Sequence, residues 1–448
     1  MKLRTLGLVL AVPVLGACKD VNNPDLNNPI IPETGVFENP SRTTVQQLAI
    51  GIIIGSRTDQ AAHIRDLSII GRDLYNLDNA DPRWVTELLG ASDFDPGGFG
   101  GGHWLPRYRN VRTANILLNS LATASPEIFT AEEISAAEGF AKTFKAIDLY
   151  HVWETREVLG LPVEVGVTVD DLQPILCSDA ALGGIGGLLD EAAADLDAGG
   201  SDFPFSLPPG LASFNSPETF RELNRALRAK VAIYQGQFAT ALTALGESFL
   251  DTSAPLEEGA YFDFGIGAGD TPNPIFQSLN TFRANPSWVT DAEPSDDRLA
   301  KVATGTNRVA SSDPIVQSSR TIAHYPSATS QIPIITNKEL ILLRAQANIG
   351  AGQLGPAQTD INFIRLNDAG LGPVGAFANE DAAITELLRQ KRYSLFLETG
   401  SRWVDHRFYG RLDDIVDPTV ASGNYEIHLT YPIPQDEVLA RGGTASCQ

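Results

Sequence analysis

The side chain with the most sharply defined chemistry is the thiol of Cys18. Lys2 and Arg4 form a short positive start, and residues 6–14 are apolar apart from Gly7 and Pro13. That run is too short to cross a bilayer as a permanent helix. Leu15-Gly16-Ala17-Cys18 follows at once. A leucine, two small residues and a cysteine at the end of an apolar run form the lipobox of a bacterial lipoprotein signal. The thiol takes a diacylglyceryl group, residues 1–17 are removed, and Cys18 becomes the first residue. Small residues at 16 and 17 suit a chain that must thread a narrow protease site.

Other reactive types lack the spacing that catalysis needs. The six histidines are scattered, with no HExxH and no pair at metal spacing, so no zinc site is expected. Ser92-Asp93-Phe94-Asp95-Pro96-Gly97-Gly98 lacks the further acids and the closing Glu of a calcium loop. The glycine runs at 97–102 and 183–187 have no following Lys-Ser/Thr and no preceding strand, so they are not phosphate loops. A G-x-S-x-G elbow is absent. Acids are abundant, but no spacing singles out a pair for glycoside hydrolysis. No catalytic residue, metal ligand or cofactor is assigned, and the chain is read as a non-enzyme.

Composition fits export. Removing residues 1–17 deletes two bases and takes the net charge from −22 to −24. Such an acidic body argues against nucleic acid and against a polybasic membrane surface. Nothing after Cys18 is long and apolar enough to span a membrane, which leaves the lipid as the anchor. Beyond Cys18 only Cys177 and Cys447 remain. In an oxidising compartment they can pair, or they are two separate buried thiols.

Three segments follow: a signal peptide at 1–17, an Asn/Pro-rich tether at 18–40, and a body at 41–448 taken as one domain. The prolines and paired asparagines of the tether exclude a regular helix. The body reads as mainly all-α, with minor β pieces such as Tyr425 to Thr430. Helices are expected over Thr43 to Ile54, Arg112 to Ala122, Ala131 to Trp153, Gly187 to Leu196, Pro217 to Tyr234 and Phe238 to Leu250. Two more run from Thr336 to Ile349, with Thr336 and Glu339 as a capping box, and from Asn379 to Thr399, stopping at Gly400. Leu227-Arg228-Ala229, Gly236-Gln237-Phe238 and Ala241 match Leu343-Arg344-Ala345, Gly352-Gln353-Leu354 and Ala357 at one offset of 116 residues. Each copy reads as a helix, a glycine turn and a second helix, the logic of tetratricopeptide-like helical hairpin repeats.

These segments resemble the SusD/RagB family of outer-membrane nutrient-binding lipoproteins. Trp104, Tyr108, Val111 and Ala114-Asn115 resemble its early helix, and Glu138 to Ala146 its next one. Asn224 to Ala241 is similar to its third repeat. Glu339 to Ala347, then Ile361-Asn362 and Arg365, match a further segment, with Gln346 where Glu is usual. Gln390-Lys391-Arg392, Leu397-Glu398, Gly400, Arg402-Trp403 and Asp405 resemble its C-terminal motif. Tyr431-Pro432-Ile433-Pro434 with Glu437 resembles its last. The series keeps the family's order from about residue 100 to 440. A departure lies at Glu154 to Pro162, which is longer than the family's turn.

The resemblance implies a SusD-like fold with long ligand-binding loops. It also implies a lid over a TonB-dependent SusC-like β-barrel transporter at the outer face of the outer membrane. The ligand would be an oligosaccharide or a peptide, held on an aromatic platform with polar partners. Rings cluster in two loop-like stretches, Tyr75 to Tyr108 and Tyr261 to Trp288. Trp84, Phe94 and Phe99 are expected to stack on ligand, with Asp93 and His103 as polar partners. Tyr261, Phe276 and Trp288 form the second candidate set, while Trp104 and Tyr108 open a helix and are assigned to the core. A helical scaffold that binds only protein and a surface glycosidase are the competing readings. If the lipid is the anchor, Cys18→Ala releases the protein from membranes. A variant that still pellets with membranes after a salt wash contradicts this.

Overall fold

The computed structural model describes residues 37–166, 171–415, 417 and 425–448. Cys18, the signal peptide and most of the tether lie outside them. Helices α1 (Arg42–Ile70), α2 (Arg83–Thr86), α3 (Leu105–Leu121), α4 (Ala131–Arg156) and α5 (Ser178–Asp197) come first. Then follow α6 (Pro217–Tyr234), α7 (Phe238–Gly246), α8 (Pro274–Gln277), α9 (Pro286–Thr290), α10 (Asn337–Gly350), α11 (Leu354–Asn367), α12 (Glu380–Ser394), α13 (Ser401–Phe408) and α14 (Gln435–Ala440). Strands β1 (Leu74–Asn76), β2 (Gly259–Phe262), β3 (Phe282–Ala284), β4 (Val302–Val309), β5 (Gln317–Ile322) and β6 (Ile332–Thr336) form three antiparallel pairs, β1 with β3, β2 with β6 and β4 with β5. The fold is mainly helical, as read from the sequence.

Helix starts follow local chemistry. Thr130 and Glu133 close a capping box on α4, Ser216 caps α6 ahead of Pro217, and Asn379 caps α12. Helices adjacent in sequence then pack in series: α3 on α4, α4 on α5, α5 on α6, α6 on α7, and α10 on α11. A main core runs through α1, α3, α4 and α6, and a second one joins α10, α11 and α12.

The repeat is present atom for atom at its turns. Gly236 and Gly352 are both left-handed, with φ of 69° and 74°. The amide of Gln237 donates to the Ala232 carbonyl at 2.9 Å, and that of Gln353 to the Asn348 carbonyl at 2.8 Å. The hairpins α6–α7 and α10–α11 are therefore two copies of one unit, packed on each other through α7 and α10.

Several boundaries differ from the sequence reading. α1 runs sixteen residues beyond Ile54, because its second half buries polar side chains that break an apolar pattern. Glu339 does not cap α10; it turns to the buried Lys230 at 3.0 Å, and the Thr336 hydroxyl has no partner among the described residues. The helix at Asn379 ends at Ser394 rather than Thr399, and Gly400 (φ 69°) instead opens α13. Residues 425–430 form no strand; they lie extended, with Glu426 N–H donating to the Gly90 carbonyl and Tyr431 N–H to that of Thr155. Cys177 and Cys447 form a disulfide, with Cα atoms 4.8 Å apart, and tie the C-terminus to the start of α5.

A Cβ at Gly236 or Gly352 would meet nothing within 4 Å. Alanine at either therefore suffers only the left-handed backbone penalty, about 1–2 kcal/mol. Chemical denaturation of Gly236→Ala and Gly352→Ala is expected to show that loss, equal at the two sites. A loss at only one contradicts the repeat.

Candidate functional site

The first aromatic loop is held by stacking on itself. Trp84 lies 4.4 Å from Phe99 between ring centres, the Arg65 guanidinium sits 4.3 Å from the Trp84 centre, and that of Arg83 sits 4.6 Å from the Phe99 centre. The contacts run in the order cation, ring, ring, cation. Phe94 is likewise stacked between His428 at 4.0 Å and Tyr431 at 4.4 Å. All three rings expected to stack on ligand instead fasten the loop to α1 and to the C-terminal segment. All three remain partly exposed.

The polar partners divide. Asp93 is exposed. His103 is 3% exposed and cannot reach a surface ligand. It bridges Asp59 Oδ2 at 2.9 Å and Asp66 Oδ2 at 3.1 Å. Burial opposes its charged form, but the two carboxylates prevail and hold the imidazole above its ordinary range.

In the second stretch Trp288 is fully buried, packed on Phe396 at 4.5 Å and Tyr393 at 5.1 Å, so it belongs to the core rather than to a platform. Tyr261 and Phe276 are half-buried, and the Tyr261 hydroxyl donates to the Glu257 carbonyl. Arg57 of α1 covers Phe264 at 5.4 Å. Arg57 and Arg65 are two turns apart, so one helix anchors both ring clusters.

A cavity opens beside the glycine-rich loop. Its volume is about 600 Å3, within the range of small-ligand sites. Trp104, Leu105, Tyr108 and Arg112 of the α3 start form one wall, residues 162–166 and 171–173 a second, and Pro434 to Arg441 of α14 a third. Tyr108 donates to the Pro162 carbonyl at 2.6 Å, which ties two walls together. Arg156, fully buried, donates to the Gly100 carbonyl at 2.9 Å and to that of Pro432 at 3.3 Å, joining the loop to the third wall. Gly100 has no room for a side chain: a Cβ would lie 2.8 Å from both the Asp95 carbonyl and Pro432. On the rim, Glu437 pairs with Arg441 at 2.7 Å and Glu164 with Lys145 at 2.8 Å. The mouth carries exposed Leu105 and Leu172.

The sequence reading missed this cavity because its walls come from three distant segments. A readable signal was present in the glycine run, whose bulk-free backbone lets the C-terminal segment approach. No protein-family model matches the chain, and no curated protein does. Solved structures do match. Surface glycan-binding protein A from Bacteroides thetaiotaomicron, solved with laminarihexaose, has 13% identity and a TM-score of 0.69, over 90% of this chain and 98% of that one. Its namesake from Bacteroides uniformis has 14% identity and the same TM-score, coverage again being 90% and 98%. A SusD-like carbohydrate-binding protein from Bacteroides fragilis has 12% identity and a TM-score of 0.68, over 90% and 99%. The chain thus has the SusD-like fold that its motifs suggested.

Because Phe94 stacks on both His428 and Tyr431 but is partly exposed, Phe94→Ala is expected to lower stability by about 3 kcal/mol, the low end for a phenylalanine truncation, read by chemical denaturation. An unchanged midpoint would mean that the ring does not hold the loop.

Proposed function

We propose that the chain is a cell-surface lipoprotein that captures an oligosaccharide and passes it, as a lid, to a TonB-dependent SusC-like β-barrel transporter. The observation that carries this is a SusD-like fold holding a cavity of about 600 Å3 with an aromatic wall and a hydrogen-bonding rim. Carbohydrate fits such walls, since C–H faces pack on rings while hydroxyls take the rim. Two lining acids are paired, Glu437 with Arg441 and Glu164 with Lys145, while Arg112, Asp171 and Asp436 add polar groups that can meet sugar hydroxyls. Glycan is preferred over peptide because the fold's neighbours are named as glycan- and carbohydrate-binding proteins. Outer-membrane placement rests on the Cys18 lipid, and no helix among the described residues is long and apolar enough to cross a membrane. The fold's neighbours are named as binding proteins, which favours capture over hydrolysis.

Titration calorimetry against neutral glycans, anionic glycans and peptides tests this reading. A neutral oligosaccharide is expected to bind without release of reducing sugar. Tyr108→Ala should weaken it about tenfold, or about 1.4 kcal/mol. Trp84→Ala should lower the melting temperature while leaving affinity unchanged. If Trp84→Ala abolishes binding and Tyr108→Ala does not, the ligand lies on the first loop. Binding of peptides alone removes the glycan reading.

A further inference from the structure

Three of the histidines that look scattered in sequence meet in the core. His63 lies on α1, one turn after Asp59 and one before Asp66; His103 ends the glycine-rich loop, and His151 lies on α4. The His63 ring centre is 5.2 Å from that of His103, at 85°, and 4.7 Å from that of His151. His63 Nε2 is 2.9 Å from Glu154 Oε2, and His151 Nδ1 is 2.7 Å from the same oxygen. His103 uses Nδ1 on Asp59 and Nε2 on Asp66.

One atom is left over. Nδ1 of His63 is buried with no hydrogen-bond partner among the described residues. With Nε2–H donating to Glu154, Nδ1 presents a lone pair to the interior, and no donor meets it. Asp59, His63 and His103 can offer ligand atoms that all lie within 4.8 Å of one another. At Zn–N bonds of about 2.05 Å, two imidazoles on a tetrahedral ion have ring centres about 5 Å apart, as His63 and His103 do. Each ring also has a carboxylate on its other nitrogen, Glu154 on His63 and Asp66 on His103. That arrangement is the outer shell that fixes the tautomer of a metal-bound histidine.

We propose that Asp59, His63 and His103 bind one divalent transition-metal ion, zinc foremost, which fastens α1 to the end of the glycine-rich loop. Two imidazoles and one carboxylate suit zinc better than calcium or magnesium, which prefer all-oxygen sets. On binding, the proton that His103 Nδ1 shares with Asp59 leaves to solvent, and both atoms turn to the ion. Arg107, 3.3 Å from Asp59 Oδ2, then steadies the carboxylate. A second oxygen of Asp59 or a water completes the shell. The site is buried, so the ion has a structural role and enters as the chain folds. It sets the backbone at Trp104 and hence one wall of the cavity, but the proposal does not depend on the ligand assigned to that cavity.

The test refolds the full chain with zinc or with chelator, dialyses both and measures metal by mass spectrometry. One equivalent of zinc is expected in the first sample only, with a higher melting temperature. Refolding with Co2+ should give the visible absorption of four-coordinate cobalt, a readout that needs no variant. His63→Gln and His103→Gln should lose the equivalent. His151→Gln should keep it, and Glu154→Gln should weaken affinity 10- to 100-fold. Wild-type protein refolded in excess zinc that holds no stoichiometric metal overturns the proposal. So does metal lost on His151→Gln and kept on His103→Gln, which places the ion among His63, His151 and Glu154.

Discussion

The burial of charge along α1 is the constraint from which the rest follows. Ser56, Asp59, Gln60, His63 and Asp66 of this helix are all buried. Buried charge must be paired, and removing one partner of a buried pair costs about 3–5 kcal/mol. Arg107 answers this demand by donating to Asp148 at 2.9 Å, the Ser56 carbonyl at 2.9 Å and Gln60 at 3.2 Å. Asn110 reaches Asp148 at 2.6 Å and the Ile52 carbonyl at 2.9 Å. A one-residue slide of α3 or α4 along α1 would strand several of these groups at once. Apolar packing alone tolerates such slides, so the polar seam sets the register of the three helices.

The seam also reaches the surface. His103 leaves it in a left-handed conformation, φ 58°, and so ends the glycine-rich loop. Arg156, at the far end of α4, holds that loop against Pro432, while the disulfide secures the chain after α14. The cavity walls are therefore extensions of a rigid interior, and preorganisation of this kind reduces the ordering cost of binding.

How much the sequence disclosed depends on whether the signal was local. The hairpin repeat was legible because a left-handed turn nearly requires glycine, and Gly236 and Gly352 mark it twice. Pro217 to Tyr234 was read to the residue, since Ser216 and Pro217 punctuate its start. The second half of α1 was not legible, because a helix buried on its polar side mimics an exposed segment. Glu339 was misread for the same reason: its partner, Lys230, is more than a hundred residues away. Rings in a glycine-rich loop suggested a platform, but they pack against Arg65, Arg83, His428 and Tyr431, which no spacing could reveal. The pairing of Cys177 with Cys447 was left open by the sequence and is present in the fold.

Hydrogen exchange of the whole protein, with and without a neutral oligosaccharide that binds it, reads out whether the proposed cavity between the α3 start and α14 receives the ligand. Slowed exchange is expected in residues 97–108, 162–166 and 434–441, with residues 259–290 unchanged. Protection confined to residues 259–290 would contradict that placement.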